Sequence, residues 1–331
     1  MTETDKALIN KRKGIIMTLA GASCWGLSGS VGQYLFSVEN MDSRWLVPVR
    51  LGAAGIILLL YCFIRFGKER TMAPWQDRKK AGTMLLYGIA GVAACQFLYF
   101  LTIQLSNAAM GTILQDLAPI FILGYTCLTQ KRSPRAFEII SIGLALFGVF
   151  LLTTHGEAGH FAIPRNALIS GVLSAACVMV YNVVSPKLTK TIPVVIIQGW
   201  AFFMGGVLFS LVFRIWNIRY VPGAKGIFGI IFVVVIGNIA AFSLYITGVS
   251  LIGPSKAILY SFAEPVTAAL ISAFVLGTKY TVFDLAGFLC IFAMLWMITF
   301  SSKMAEGESH QPAAKTGGER QRHTAGAGSR P

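Results

Sequence analysis

The chain alternates between long apolar runs and short polar ones. Apolar residues fill roughly 14–36, 45–66, 81–104, 107–128, 135–154, 166–185, 193–213, 226–250, 254–277 and 282–302. Each run has about the 20 residues that a helix, rising ~1.5 Å per residue, needs to cross a ~30 Å hydrocarbon layer. An isolated span must satisfy its own backbone polar groups, so each run predicts a transmembrane helix. Several runs contain Gly or Pro, which membrane helices tolerate better than soluble ones. The first, from Gly14 to about Phe36, is too long for the apolar core of a cleavable signal.

The pattern also repeats. A slide of 146 places lays Leu98 and Tyr99 on Leu244 and Tyr245, Leu105 on Leu251, Pro119 on Pro265, and Glu138 on Asp284. A slide of 153 places lays Ala22 and Cys24 on Ala175 and Cys177, and Leu35 on Leu188. Two copies of five spans each must have opposite orientations, because five is odd. The expected fold is therefore all-α and integral to the membrane: ten helices in two inverted-topology repeats, a plan used by secondary transporters. The expected organisation is an N-terminal segment (1–13), two five-helix repeats (14–154 and 166–302) and a disordered tail (303–331) rich in Gly, Ala and charged residues.

Composition agrees: 55% of residues are hydrophobic and 13% charged, against ~25% charged in a soluble domain. The net charge of +14 does not imply nucleic acid, because the basic residues sit in short loops and at the termini. One side holds Lys6, Lys11, Arg12 and Lys13, the cluster from Arg65 to Lys80, then Lys131, Arg132, Arg135, Lys187, Lys190 and the tail. The other holds only Arg44, Arg165, Arg214, Arg219, Lys225 and Lys279. The positive-inside rule then predicts a multi-pass cell-membrane protein with both termini cytoplasmic.

Ionisable groups inside spans cost at least ~2.5–3.5 kcal/mol on insertion scales, so each needs a reason. Asp116 lies three residues before Pro119, and Glu264 immediately before Pro265. Arg50 lies about five residues into the second run. Glu264 reads either as a proton carrier beside a helix break or as a neutral, hydrogen-bonded pin between helices. Asp116 has the same two readings. Arg50 reads as the partner of an acid, as a carboxylate binder, or as a side chain that snorkels to the headgroups. Uncharged candidates are Tyr99, Tyr245, Gln96, Asn238, Trp25, Asn182 and Tyr260, one turn before Glu264, with Ser28, Gln115, Gln198 and Trp200 completing the polar set. Such groups either shape a pocket or simply bond helix to helix. The small residues at 52–55, Gly88, Gly91, Gly205 and Gly206 permit close helix crossings.

The cysteines lie singly inside apolar runs without metal-ligand spacing, and His155 and His160 share a loop without an adjacent thiolate or carboxylate ligand. Neither a metal nor a cofactor is expected. No Gly-rich phosphate loop, HExxH motif or nucleophile–histidine pair stands within the spans, so ATP drive and intramembrane catalysis lack support. A receptor or scaffold would not need buried carboxylates in an inverted repeat.

Cys24-Trp25-Gly26, Val49-Arg50-Leu51, Leu117-Ala118-Pro119, Ala263-Glu264-Pro265 and the acids Glu138 and Asp284 resemble the drug/metabolite transporter superfamily, in its ten-helix group with two EamA domains. The resemblance implies a central cavity between the halves and alternating access, generally for export of amino acids, other metabolites or drugs. Asp116 is no part of that pattern, and the slide sets Phe203 opposite Arg50. The expected function is secondary export of a small metabolite (an amino acid, carboxylate or amine), with proton coupling at Glu264. The alternative is export of cationic drugs. The expected partners are a small-molecule substrate, the lipid bilayer and protons.

Overall fold

The computed structural model describes residues 3–157, 162–253, 257 and 260–309, with side chains described only from 8 to 298. It is helical, and no strand occurs among the described residues. The ten spans are α1 (Glu3–Ser37), α2 (Ser43–Thr71), α3 (Arg78–Leu105), α4 (Ala108–Thr129) and α5 (Ala136–Thr154), then α6 (Arg165–Thr189), α7 (Val194–Phe213), α8 (Ala224–Ile252), α9 (Ala263–Phe274) and α10 (Val282–Ser309). Gly67, with φ 75°, interrupts α2 close to the predicted end of the second span. The predicted tail begins inside α10, whose helical backbone reaches Ser309, while residues from 310 on, His310 and His323 included, lie outside the described residues. Residues 254–256, 258 and 259, ahead of α9, also lie outside them.

The repeat is visible in the irregular places. α4 breaks at Asp116–Leu117, and a turn at Phe262 precedes α9; Asp116 and Phe262 each stand three residues before a proline, Pro119 and Pro265. A proline cannot bond the carbonyl four residues back and crowds it, so the ladder opens just upstream. α3 is π-helical at Leu86–Ala93 and α8 at Val233–Ala240, almost one slide apart. Each π segment holds a glycine whose missing Cβ admits a neighbour: Tyr181 of α6 lies against Gly91, and Ser28 of α1 against Gly237. Both the glycines and their neighbours are repeat-matched.

Packing follows the same two-fold relation. α1 lies along α8 and α9 of the other half, and α6 along α3 and α4 of the first, so the leading helix of each repeat is exchanged. α2 runs along α7 and α5 along α10. At the α2–α7 crossing, Gly55 meets the backbone of Phe203 and Gly206 that of Gly52. The sequence expectation of close contacts at small residues holds here. Glu138 and Asp284 open α5 and α10 and accept hydrogen bonds from the N–H three residues upstream, at Arg135 (2.6 Å) and Thr281 (2.8 Å). Both are helix caps. Arg132 also grips Glu138 with two bonds of 2.8 Å, and His155 approaches Asp284 at 3.2 Å. His155 thus pairs with a carboxylate, while His160 lies outside the described residues.

Candidate functional site

Between the halves lies a cavity of ≈ 450 Å³. It is lined from both repeats, at the α4 and α9 breaks and along the π-bearing helices. Among the predicted residues, Arg50, Gln96, Tyr99 and Asp116 line it from the first half together with Trp25 of α1. Asn182, Asn238, Tyr245 and Glu264 line it from the second. Tyr260 does not: the interruption at Phe262 ends the i, i+4 relation that would set it above Glu264 on one helical face. Trp200 is also elsewhere, donating its indole N–H to the Thr71 carbonyl at 2.9 Å beside the Trp75 ring.

Arg50 follows neither an acid-paired nor a snorkelling course. It is 2% exposed, about 10 Å along α2 from Ser43, and forms no ion pair among the described residues. Its Nη2 donates to Gln96 Oε1 at 2.7 Å and to Asn238 Oδ1 at 2.8 Å. Its Cζ stands 3.9 Å from the centroid of the Phe100 ring, a cation–π contact.

The two acids lie elsewhere on the wall. Glu264 stands in the first turn of α9, between the Phe262 turn and Pro265, and Asp116 occupies the equivalent break in α4. Asp116 Oδ2 is buried without a hydrogen-bond partner among the described residues. Both carboxyls are half-buried, and neither forms an ion pair among the described residues. The Trp25 and Tyr245 rings meet at 4.9 Å between centroids, tilted 47° to one another. Tyr99 bonds Thr112 at 3.1 Å, and Asn182 is turned to its own helix, donating to the Val178 carbonyl at 2.9 Å.

The cavity reaches Val194, the first residue of α7, at the membrane face where α1 also starts. Toward the opposite face, Gln33 near the end of α1 ties three helices together. Its Oε1 accepts from the Ala108 N–H and the Ser272 hydroxyl, both at 2.9 Å, and its Nε2 donates to Thr278 at 3.1 Å. One amide therefore joins α1, α4 and the end of α9. Sequence reasoning missed Gln33, and also Tyr87 and Tyr181 of the cavity wall. Tyr87 donates to Gln198 at 3.1 Å, and that glutamine had at least been visible as a polar residue within a span.

Comparison with known proteins points the same way. A profile described as the EamA-like transporter family matches residues 12–154 and again 165–300. The chain is 33% identical over 295 residues to the "uncharacterized inner membrane transporter YicL" of Salmonella typhimurium, covering 88% of this chain and 97% of that protein. It is 24% identical to the "uncharacterized transporter YwfM" of Bacillus subtilis, over 79% of this chain and 85% of the relative. A solved crystal structure aligns with a TM-score of 0.58 at 16% identity, over 91% of this chain and 99% of that one, which shows the fold alone.

Proposed function

The chain belongs to the EamA-like transporter family, and on that premise we propose that it exports a small polar or amphipathic metabolite by alternating access, coupled to protons at Glu264. The observation that carries this reading is the placement, at a proline break, of a carboxyl with no ion pair among the described residues, facing a cavity shared by two inverted halves. A carboxyl in that position can exchange a proton with the cavity, and protonation removes the cost of carrying its charge through the bilayer. The broken helices leave backbone at mid-membrane only where it lines a cavity, as transporter sites require. The basic loops support a cell-membrane orientation with cytoplasmic termini, so the face reached by Val194 is the cytoplasmic one. Loading from that side is what export needs.

A second reading, export of lipophilic cations, draws on the Trp25–Tyr245 ring pair in a cavity that two acids also line. Proteoliposomes test both. Labelled amino acids, small carboxylates, amines and a cationic dye are offered with and without a pH gradient. The expected result is gradient-stimulated movement of a metabolite, lost in Glu264→Gln while that variant still inserts and melts normally. Unchanged gradient-driven rates in Glu264→Gln refute the proton role. Movement of the dye alone selects the second reading.

A further inference from the structure

We infer that Arg50 and Asn238 form a carboxylate-binding subsite at the end of the cavity away from Val194, so that the cargo is a monocarboxylate or the acid end of a zwitterion. This rests on the transport reading of the same cavity. The first argument is an inventory of donors. Arg50 Nε and Nη1 and Asn238 Nδ2 are all buried, and none has a hydrogen-bond acceptor among the described residues. Buried polar groups are otherwise almost always paired, so three orphan donors on two touching side chains mark a place where acceptors are missing. The amide orientation is not arbitrary. Asn238 Oδ1 takes the bond from Arg50 Nη2, and turning the amide over would set donor against donor.

The second argument is the choice of partners. Arg50 is held by two neutral amides and a ring, with no carboxylate in ion-pair contact among the described residues. A fixed acid would cancel the guanidinium charge. Amides and a ring position the group and leave its charge for a ligand.

The third argument is charge balance. Among the described residues lining the cavity, Arg50 is the one cation, and Asp116 and Glu264 are acids. One guanidinium matches one carboxylate, whereas a phosphate monoester carries about −1.5 to −2 and would face two acids with a single cation. The acids suit an ammonium group instead, so a zwitterion fits the wall at both ends.

The test uses the purified full-length protein in detergent micelles. Thermal unfolding is followed with L-leucine, L-phenylalanine, L-threonine and their 2-oxo acids, each beside its carboxamide, and with O-phosphoserine. The expected result is that at least one acid raises the melting temperature and binds at least tenfold more tightly than its amide. Asn238→Asp gives Arg50 an internal counter-ion. That variant should melt no lower than the parent and lose acid binding at least tenfold, which separates loss of the subsite from loss of the fold. Arg50→Gln should lose the acid-over-amide preference too. The inference is overturned if no acid binds, if acids and amides bind equally, if only the phosphate ester binds, or if Asn238→Asp keeps the preference. Gradient-driven transport of amides and amines at the rate of the acids would remove this subsite while leaving the export reading intact.

Discussion

Replacing Gly206 by alanine puts a methyl group into the backbone of the opposing helix. The added Cβ would stand 2.5 Å from Gly52 Cα and 3.2 Å from the Leu51 carbonyl carbon, and would contact Gly52 N as well. Carbon atoms rest at ~3.5–4.0 Å, so α2 and α7 must part by roughly 1 Å along their shared crossing. Insertions of this kind into a packed interior cost about 1–3 kcal/mol. Gly52 is the internal control. Its added Cβ would meet nothing closer than Gly206 Cα at 3.9 Å, an ordinary contact. Alanine also favours helix over glycine by up to ~1 kcal/mol, so Gly52→Ala should be neutral or slightly stabilising. The two variants, made at one crossing with one chemistry, should differ by about 1–3 kcal/mol, or roughly 5- to 150-fold in the unfolding equilibrium. Reversible unfolding in mixed micelles, titrated with SDS and followed by tryptophan fluorescence, measures both. Equal stabilities would refute the packing argument, and a larger loss at Gly52 would invert it.

Two further predictions concern the helix starts. Glu138→Ala removes the Arg132 pair and the cap on the Arg135 N–H together, and should cost about 1–3 kcal/mol in the same assay, with Glu138→Gln losing less because an amide oxygen still caps. Asp42 accepts the Arg44 N–H at 2.8 Å as the cap of α2, so Asp42→Ala should cost about 1 kcal/mol and Asp42→Asn only a few tenths. If Asp42→Asn lowered stability as much as Asp42→Ala, the ion pair with the exposed Arg44 rather than the cap would be the stabilising contact.

The ten spans were legible because a bilayer demands apolar runs of fixed length, and the repeat because Pro119 and Pro265 mark breaks that each half needs. Nine of the ten site residues chosen from the sequence line the cavity, since a polar group inside a span has few other places to go. What was not legible depends on distant contacts. Arg50 finds its acceptors 46 and 188 residues away, so the pattern around it could not distinguish pairing from snorkelling. Gln33 gathers Ala108, Ser272 and Thr278 only once three helices converge. The π segments have no compositional signature, because an extra residue per turn is imposed by tertiary packing at Gly91 and Gly237. Tyr260 misled because regular helical spacing was assumed across a break.

The matched and unmatched positions divide the work. Breaks, π segments, glycine contacts and helix caps recur in both halves, so the frame can present equivalent mechanics to either membrane face. The charges that line the cavity do not recur: the slides set Phe203 against Arg50, Phe262 against Asp116 and Ala118 against Glu264. A ligand shifts a conformational equilibrium only by its differential affinity for the two states. A cavity symmetric in its polar groups would hold a ligand equally well whichever face it opened to. Here one end holds a guanidinium where its symmetry mate is a phenyl ring, and the acids also lack counterparts. That inequality is how a symmetric frame can bind and release cargo with different strength on its two sides.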